Sequence, residues 1–257
     1  MRAFTLAAAL AVCLAGSALS ESGTPALHGV AAKTPAVDLP HYHTLGTYPQ
    51  VAGSNIDLRK VNAGLRRAAV QAEQLYARDA RKPVLGRSRR WNGCGGGIYD
   101  TSEQPRFVSA STVVVSFLIP LLELYPCGND GAVWLSATVR VPSGSPVRIT
   151  DLFGDPRAGL TALAAVARTR LERKYACVGQ AVHDQTVGRL VARGFDPIAS
   201  NYENFALTTG GLVVGFPLGQ VAFPPCYRQF VTVPYRLLRP HLSRLGRLLI
   251  AGVRNPR

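Results

Sequence analysis

Residues 202–225 read YENFALTTGGLVVGFPLGQVAFPP, and the choice of fold class turns on them. Phe205 and Leu207 alternate with polar or small neighbours, and Leu212, Val214 and Phe216 do the same beyond Thr209-Gly210-Gly211. Period-two alternation on both sides of a glycine-containing turn predicts a β-hairpin with one face on a core. Those five apolar residues are expected to face helices. The stretch carries almost nothing that could do chemistry, and no acidic residue follows Glu203 before the chain ends. It predicts a scaffold, so function falls to what the scaffold displays.

Working outward, RFVSASTVVVSFLIPLLELYPCGND (106–130) is rich in β-branched and aromatic residues, Gly128-Asn129-Asp130-Gly131 supplies turn chemistry, and AVWLSATVRV (132–141) returns as a second strand. Consecutive strands joined by a turn argue for antiparallel sheet and against a strand–helix–strand crossover. A first helix is expected after Ser54, with Asp57 three residues on as the partner in a capping box. Leu58, Val61, Leu65, Ala68, Ala72 and Leu75 give it an apolar stripe, while Arg59, Lys60, Arg66, Arg67 and Arg78 occupy its other face. Asp155 followed by Pro156 predicts the start of a second helix, with Leu160, Leu163, Ala167, Leu171 and Tyr175 pointing inward. A last strand, YRQFVTVPY (227–235), ends at Pro234, and Pro240 divides the final segment into short helices. These elements predict one α+β domain over residues 45–250, an antiparallel sheet of hairpins packed against two main helices and stapled by disulfides. Residues 21–44 hold three prolines and no helical period and are expected to form a mobile leader, and residues 251–257 a basic tail.

The first twenty residues have the pattern of a secretory signal peptide: Arg2, an apolar run from Ala3 to Gly16, and small residues at Ala18 and Ser20 before a cut preceding Glu21. No comparable apolar stretch follows, so cleavage would leave no transmembrane anchor and the protein would be secreted, extracellular or wall-associated. Cleavage also removes Cys13, leaving Cys94, Cys127, Cys177 and Cys226, an even number in an exported chain. Pairing Cys94–Cys127 and Cys177–Cys226 puts one staple in each half; the other two connectivities stay open. Zinc needs closely spaced pairs, which these cysteines do not form.

The 257 residues carry 29 Lys+Arg against 15 Asp+Glu, a net charge of +14, and losing Arg2 leaves +13. Ten basic residues fall in 59–90, and seven arginines with no acid fall in 204–257. In RSRRWNG, Trp91 stands beside Arg89 and Arg90, where it could stack on a sugar or lie at a headgroup surface.

The segments TYPQVAGSNIDLRKVNAGLRR (47–67, with Asn62 inside the first helix), VRITDLF (147–153) and NFALTTGGLVVGFPLGQVAFPP followed by VTVPYRLL resemble, in their order and spacing, the RsiV-like secreted domains. That family includes lysozyme-sensing anti-sigma factor ectodomains and mycobacterial secreted immunogenic proteins. The resemblance implies a compact α+β fold with no shared catalytic residues, and protein binding, namely capture of lysozyme, as the family's best-understood activity. Two departures stand out. Only Met1 and Arg2 precede the apolar run, where an anti-sigma factor needs a cytosolic domain, and Cys226 occupies a bend in FPPCYRQ where the family usually has a small residue.

Catalytic patterns are sparse. No G-x-S-x-G occurs, and the histidines at 28, 41, 43, 183 and 241 are scattered, with only His183-Asp184 adjacent to an acid. His41 and His43 share a face of an extended segment without a third ligand. Asp100, Glu103 and Asp130 sit near expected loops, and CGGG (94–97) lacks the lysine of a phosphate loop. The sequence therefore predicts a secreted, non-catalytic cell-envelope binding protein with no metal and no cofactor. Its expected partners are anionic envelope polymers or an acidic lipid surface, through Arg89, Arg90, Trp91, Arg236, Arg239, Arg244 and Arg247; a protein such as lysozyme is a further candidate. Export argues against nucleic acid as a natural partner. The competing expectation is an envelope hydrolase or deacetylase whose site is assembled in space.

Overall fold

A computed structural model describes residues 27–33, 38–39, 42–44, 47–53, 57–80, 98–100, 107–124, 131–217, 219–222 and 229–254. The sequence has the composition of two hairpin sheets, and the structure stacks them face to face with helices on both outer sides.

The first sheet is built on strand β7 (Val114–Leu124), with β8 (Gly131–Arg140) along one edge from Val114↔Arg140 to Glu123↔Gly131. On the other edge β6 (Phe107–Ala110) pairs with the start of β7 and β5 (Ile98–Asp100) with its end. β3 (Tyr42–Thr44) joins β5 in parallel, and β2 (Asp38–Leu39) pairs with β3, so the sheet is antiparallel except at one join. The stretch 106–130 thus yields two strands instead of one, because Ser111 folds the chain back: its hydroxyl accepts from the N–H of Val114 at 3.1 Å and its own N–H reaches the Val114 carbonyl at 2.9 Å.

Helix α1 (Arg59–Ala80) lies on one face of this sheet. Val61, Leu65 and Ala69 pack with Val115, Phe117 and Ile119 of β7 and Leu135, Ala137 and Val139 of β8. The helix begins later than the expected capping box. Asp57 precedes it, accepting from the N–H of Arg59 at 3.0 Å, and Ser54 lies outside the described residues. A separate two-stranded sheet pairs β1 (His28–Lys33) with β4 (Thr47–Ala52), so part of the expected mobile leader is strand. Asn62 ties α1 to that sheet: its side-chain amide accepts from the N–H of Val51 and donates to the Val51 carbonyl, both at 2.9 Å.

The second sheet has the order β9 (Phe205–Thr208), β10 (Gly211–Phe216), β11 (Gln229–Val233), with β10 central and both joins antiparallel. Phe205, Leu207, Leu212, Val214 and Phe216 face the helices, as their alternation predicts. Against them pack Leu160, Leu163 and Leu171 of α2 (Pro156–Lys174), Val178 of α3 (Ala176–His183), Val191 of α4 (Gly188–Arg193), Leu238 of α5 (Tyr235–Leu238), and Leu249 and Val253 of α6 (Arg244–Arg254). Asp155 caps α2 as expected, accepting from the N–H groups of Arg157 and Ala158 at 2.9 and 3.2 Å. The helical side is richer than two main helices. α3 and α4 occupy residues for which the sequence predicts no element, and α6 runs to Arg254, into the expected basic tail.

Between the sheets lies a thin layer of Leu118, Trp134, Ala206 and Val213, with Phe230 beside it. Two buried hydroxyls stitch it: Ser116 and Thr138 share a hydrogen bond of 2.6 Å, and the Ser116 oxygen accepts from the N–H of Leu207 at 2.9 Å. Ser109 donates to the Leu207 carbonyl, so β9 is held to the first sheet through both backbone groups of Leu207. The order of layers is helix, sheet, sheet, helices.

Candidate functional site

Pro234 ends β11 and leads into α5, which cannot extend because Pro240 breaks it. The chain turns through Arg239–His241, and Ser243 starts α6, its hydroxyl accepting from the N–H of Gly246 at 2.9 Å. That hydroxyl also donates to the Asp151 carbonyl at 2.8 Å, while the Ser243 N–H reaches the Leu152 carbonyl at 2.9 Å. At the other end the Tyr235 hydroxyl donates to the Thr208 carbonyl at 2.8 Å and accepts from the Thr208 N–H at 3.1 Å. Burial pushes the Tyr235 phenol far above its ordinary range, so it stays a neutral donor, with Thr208 and then the nearby Arg254 charge pulling weakly the other way. The N-terminal ends of α5 and α6 are therefore both pinned to the core.

Between them lies a concavity of about 570 Å³. Its floor is apolar, made by Tyr235, Leu242, Ile250 and Ala251, and its rim carries Arg236, Arg239, Arg247 and Arg254. All four arginines are exposed, and none of the residues lining the site is acidic. One guanidinium donor of Arg247 goes to the Leu242 carbonyl at 3.0 Å, which sets its position while the group keeps further N–H donors. Among the described residues the ion pairs are Arg59–Asp57 at 2.9 Å and Arg168–Glu172 at 2.8 Å, both away from this cradle. Four like charges over an apolar floor suit an anion, above all phosphate or carboxylate, which the planar guanidinium matches with two parallel hydrogen bonds.

Of the expected site residues, the fold brings Arg236, Arg239 and Arg247 together here. Arg244 is exposed on α6 one turn before Arg247 but does not line the concavity. Arg89, Arg90 and Trp91 lie outside the described residues. The sequence reading missed Arg254 and the floor, although Arg247, Ala251 and Arg254 recur at the spacing of one helix face. Cys177 is half-buried against the helical core and disulfide-bonded, whereas Cys94, Cys127 and Cys226 lie outside the described residues.

Other concave places offer less. A groove of about 900 Å³ runs along β8 between α1 and the turn Ala199–Tyr202, with Arg67 and Arg148 on its walls. Its acid is Glu203, whose carboxyl burial pushes upward, and a single carboxyl does not make the pair that glycoside hydrolysis uses. The sequence neighbours His183 and Asp184 form no catalytic pair either. Asp184 accepts from the N–H groups of Thr186 and Val187 at 2.7 and 2.9 Å, a structural use that lowers its pKa. Among the described residues no group of three or more His, Cys, Asp or Glu could hold a metal ion, and no helix is long and apolar enough to cross a membrane.

No family model and no curated protein matches the chain. Solved structures do match its fold. A member of the DUF3298 family from Bacteroides fragilis NCTC 9343 superposes with a TM-score of 0.51 at 13% identity, over 90% of this chain and 98% of that one. A DUF3298 family protein from Pseudomonas aeruginosa PAO1 gives a TM-score of 0.49 at 12% identity, over 86% of this chain and 95% of that one. The first likeness extends over nearly the whole chain and concerns the fold, which it marks as one shared with a domain of unknown function.

Proposed function

We propose that the mature chain is an exported, non-catalytic binding protein of the cell envelope that holds anionic groups in the arginine cradle between α5 and α6. The observation that carries this reading is the meeting of Arg236, Arg239, Arg247 and Arg254 around one apolar concavity without an acidic neighbour in its lining. Of the seven arginines in residues 204–257, four line this one concavity. The reading includes membership of the RsiV-like family, cleavage after Ser20, and the disulfides Cys94–Cys127 and Cys177–Cys226. Lysozyme fits it poorly, since a basic partner would meet like charge at the cradle.

Titration of residues 21–257 with a phosphate-bearing wall polymer tests the proposal. Binding is expected to weaken steeply between about 50 and 300 mM salt, because exposed charges are screened over ~8 Å at physiological ionic strength. Charge reversal at Arg236 and Arg247 should abolish it while leaving thermal stability nearly unchanged, as for other exposed positions. Binding indifferent to both salt and reversal would remove the cradle from consideration.

A further inference from the structure

The cradle is one half of a larger face, and this further step rests on the anion reading above. Helix α6 buries Gly246, Leu249, Ile250 and Val253 against the core and exposes Arg244, Arg247, Leu248, Ala251 and Arg254. The exposed residues recur at three- and four-residue spacing, so they form one stripe along the helix. Within that basic stripe Leu248 stands 53% exposed, and on α5 Leu237, next to Arg236, stands 42% exposed. Leu190 and Ile198 stand comparably exposed elsewhere, so what marks this face is the pairing of exposed leucines with the arginines of the cradle. At an anionic lipid surface the same pattern is favourable on every count: leucine side chains enter the acyl boundary, long arginine stems lie along it, and guanidinium groups reach lipid phosphates.

We infer that the cradle seats the phosphate headgroup of an anionic lipid and that the exposed stripe of α6 lies on the lipid surface, with Leu248 and Leu237 inserted. Charge complementarity selects this occupant. Residues 204–257 contain no acid, and none of the residues lining the cradle is acidic. The volume of about 570 Å³ is that of a small-ligand pocket, large enough for a headgroup, and the apolar floor suits the glycerol and the first acyl carbons. Each arginine near such a surface strengthens binding about fivefold, which corresponds to ~1 kcal/mol per basic residue.

The experiment is flotation of residues 21–257 with vesicles of phosphatidylglycerol and phosphatidylcholine, and with vesicles of phosphatidylcholine alone, beside titration with a soluble phosphate-bearing polymer. The mixed vesicles should retain the protein and the neutral vesicles should not. Leu248→Asn should weaken vesicle binding about fivefold or more while leaving polymer binding and melting temperature unchanged, and Leu237→Asn should act in the same direction. Polymer binding without vesicle binding, or vesicle binding that ignores both leucine substitutions, overturns the lipid inference and leaves the anion cradle standing. Binding to neither probe overturns both.

Discussion

Replacing Gly215 by alanine should be strongly destabilising. Gly215 lies on β10, and a Cβ there would come within 2.5 to 2.8 Å of three atoms of the Trp134 indole on β8. The ring cannot slide away cheaply. It is 3% exposed, meets Phe230 edge-on at 6.1 Å, and donates its N–H to the Phe216 carbonyl at 3.1 Å. Overpacking of this kind costs ~1–3 kcal/mol, and a buried N–H driven from its acceptor costs ~1–3 kcal/mol more. A total loss of about 2–6 kcal/mol corresponds to a melting temperature lower by roughly 4–24 °C in a domain of this size. Chemical denaturation of Gly215→Ala, Trp134→Ala and the double variant measures it, because truncation at Cβ removes the ring and with it both the clash and the N–H. In the Trp134→Ala background the Gly215 substitution should cost less than about 1 kcal/mol, a coupling in the range seen for residues in contact. If the substitution at Gly215 costs the same with and without the indole, or costs nothing in the wild type, the two sheets do not meet as described.

Asn62→Ala should lower stability by about 2 kcal/mol, since it strips partners from both the N–H and the carbonyl of buried Val51; urea denaturation checks this, with Asn62→Asp expected to fail as a rescue because it cannot donate to the carbonyl. Asp57 gives an acid-side prediction. Hydrogen bonds from the Arg59 side chain and backbone lower its pKa from 3.8 to about 2 in the folded protein, so its charge favours the folded state above pH ~4. That contribution is lost as the pH falls from about 4 towards 2, and Asp57→Asn should flatten the corresponding part of a stability-versus-pH curve; an unchanged curve would show that the pair is screened out in solution.

Much of the fold is legible in the sequence, and the part that is not has a definite physical origin. Alternation in 205–216 identifies the hairpin and its helix-facing residues, and Asp155-Pro156 marks the start of α2, because both are local signals. The second sheet beneath the hairpin escapes notice since its contact layer uses Ala206, Gly215, Ser116 and Thr138, residues that look like a solvated face. Small beside large in a strand can mean a thin layer beside a thick one, and here both faces of β10 are buried. The cradle is half legible for a related reason. A run of arginines is visible, but the turn at Arg239–His241 that makes Arg236 and Arg239 face Arg247 and Arg254 depends on contacts with Asp151, Leu152 and Thr208, remote in sequence.

Those remote contacts also bear on how such a cradle would work. Among the described residues, β7 and β8 are covered by α1 on one face and by the second sheet on the other, and β9 to β11 by helices on their other face, so these strands offer little open area apart from the edge of β8. Helices and loops carry more of the open surface, and α5 and α6 are held at several points by hydrogen bonds to the core. Arginines on such a frame have little backbone entropy left to lose when an anion arrives; only the side chains must be ordered, and Arg247 is partly ordered already by its bond to the Leu242 carbonyl. Mutual repulsion of four guanidinium groups is tolerable while they are solvated, and it is relieved when a phosphate or carboxylate enters. On the proposed reading the arrangement would cost the empty protein little at an exposed rim and would repay an anionic ligand directly, the behaviour expected of a preorganised binding site.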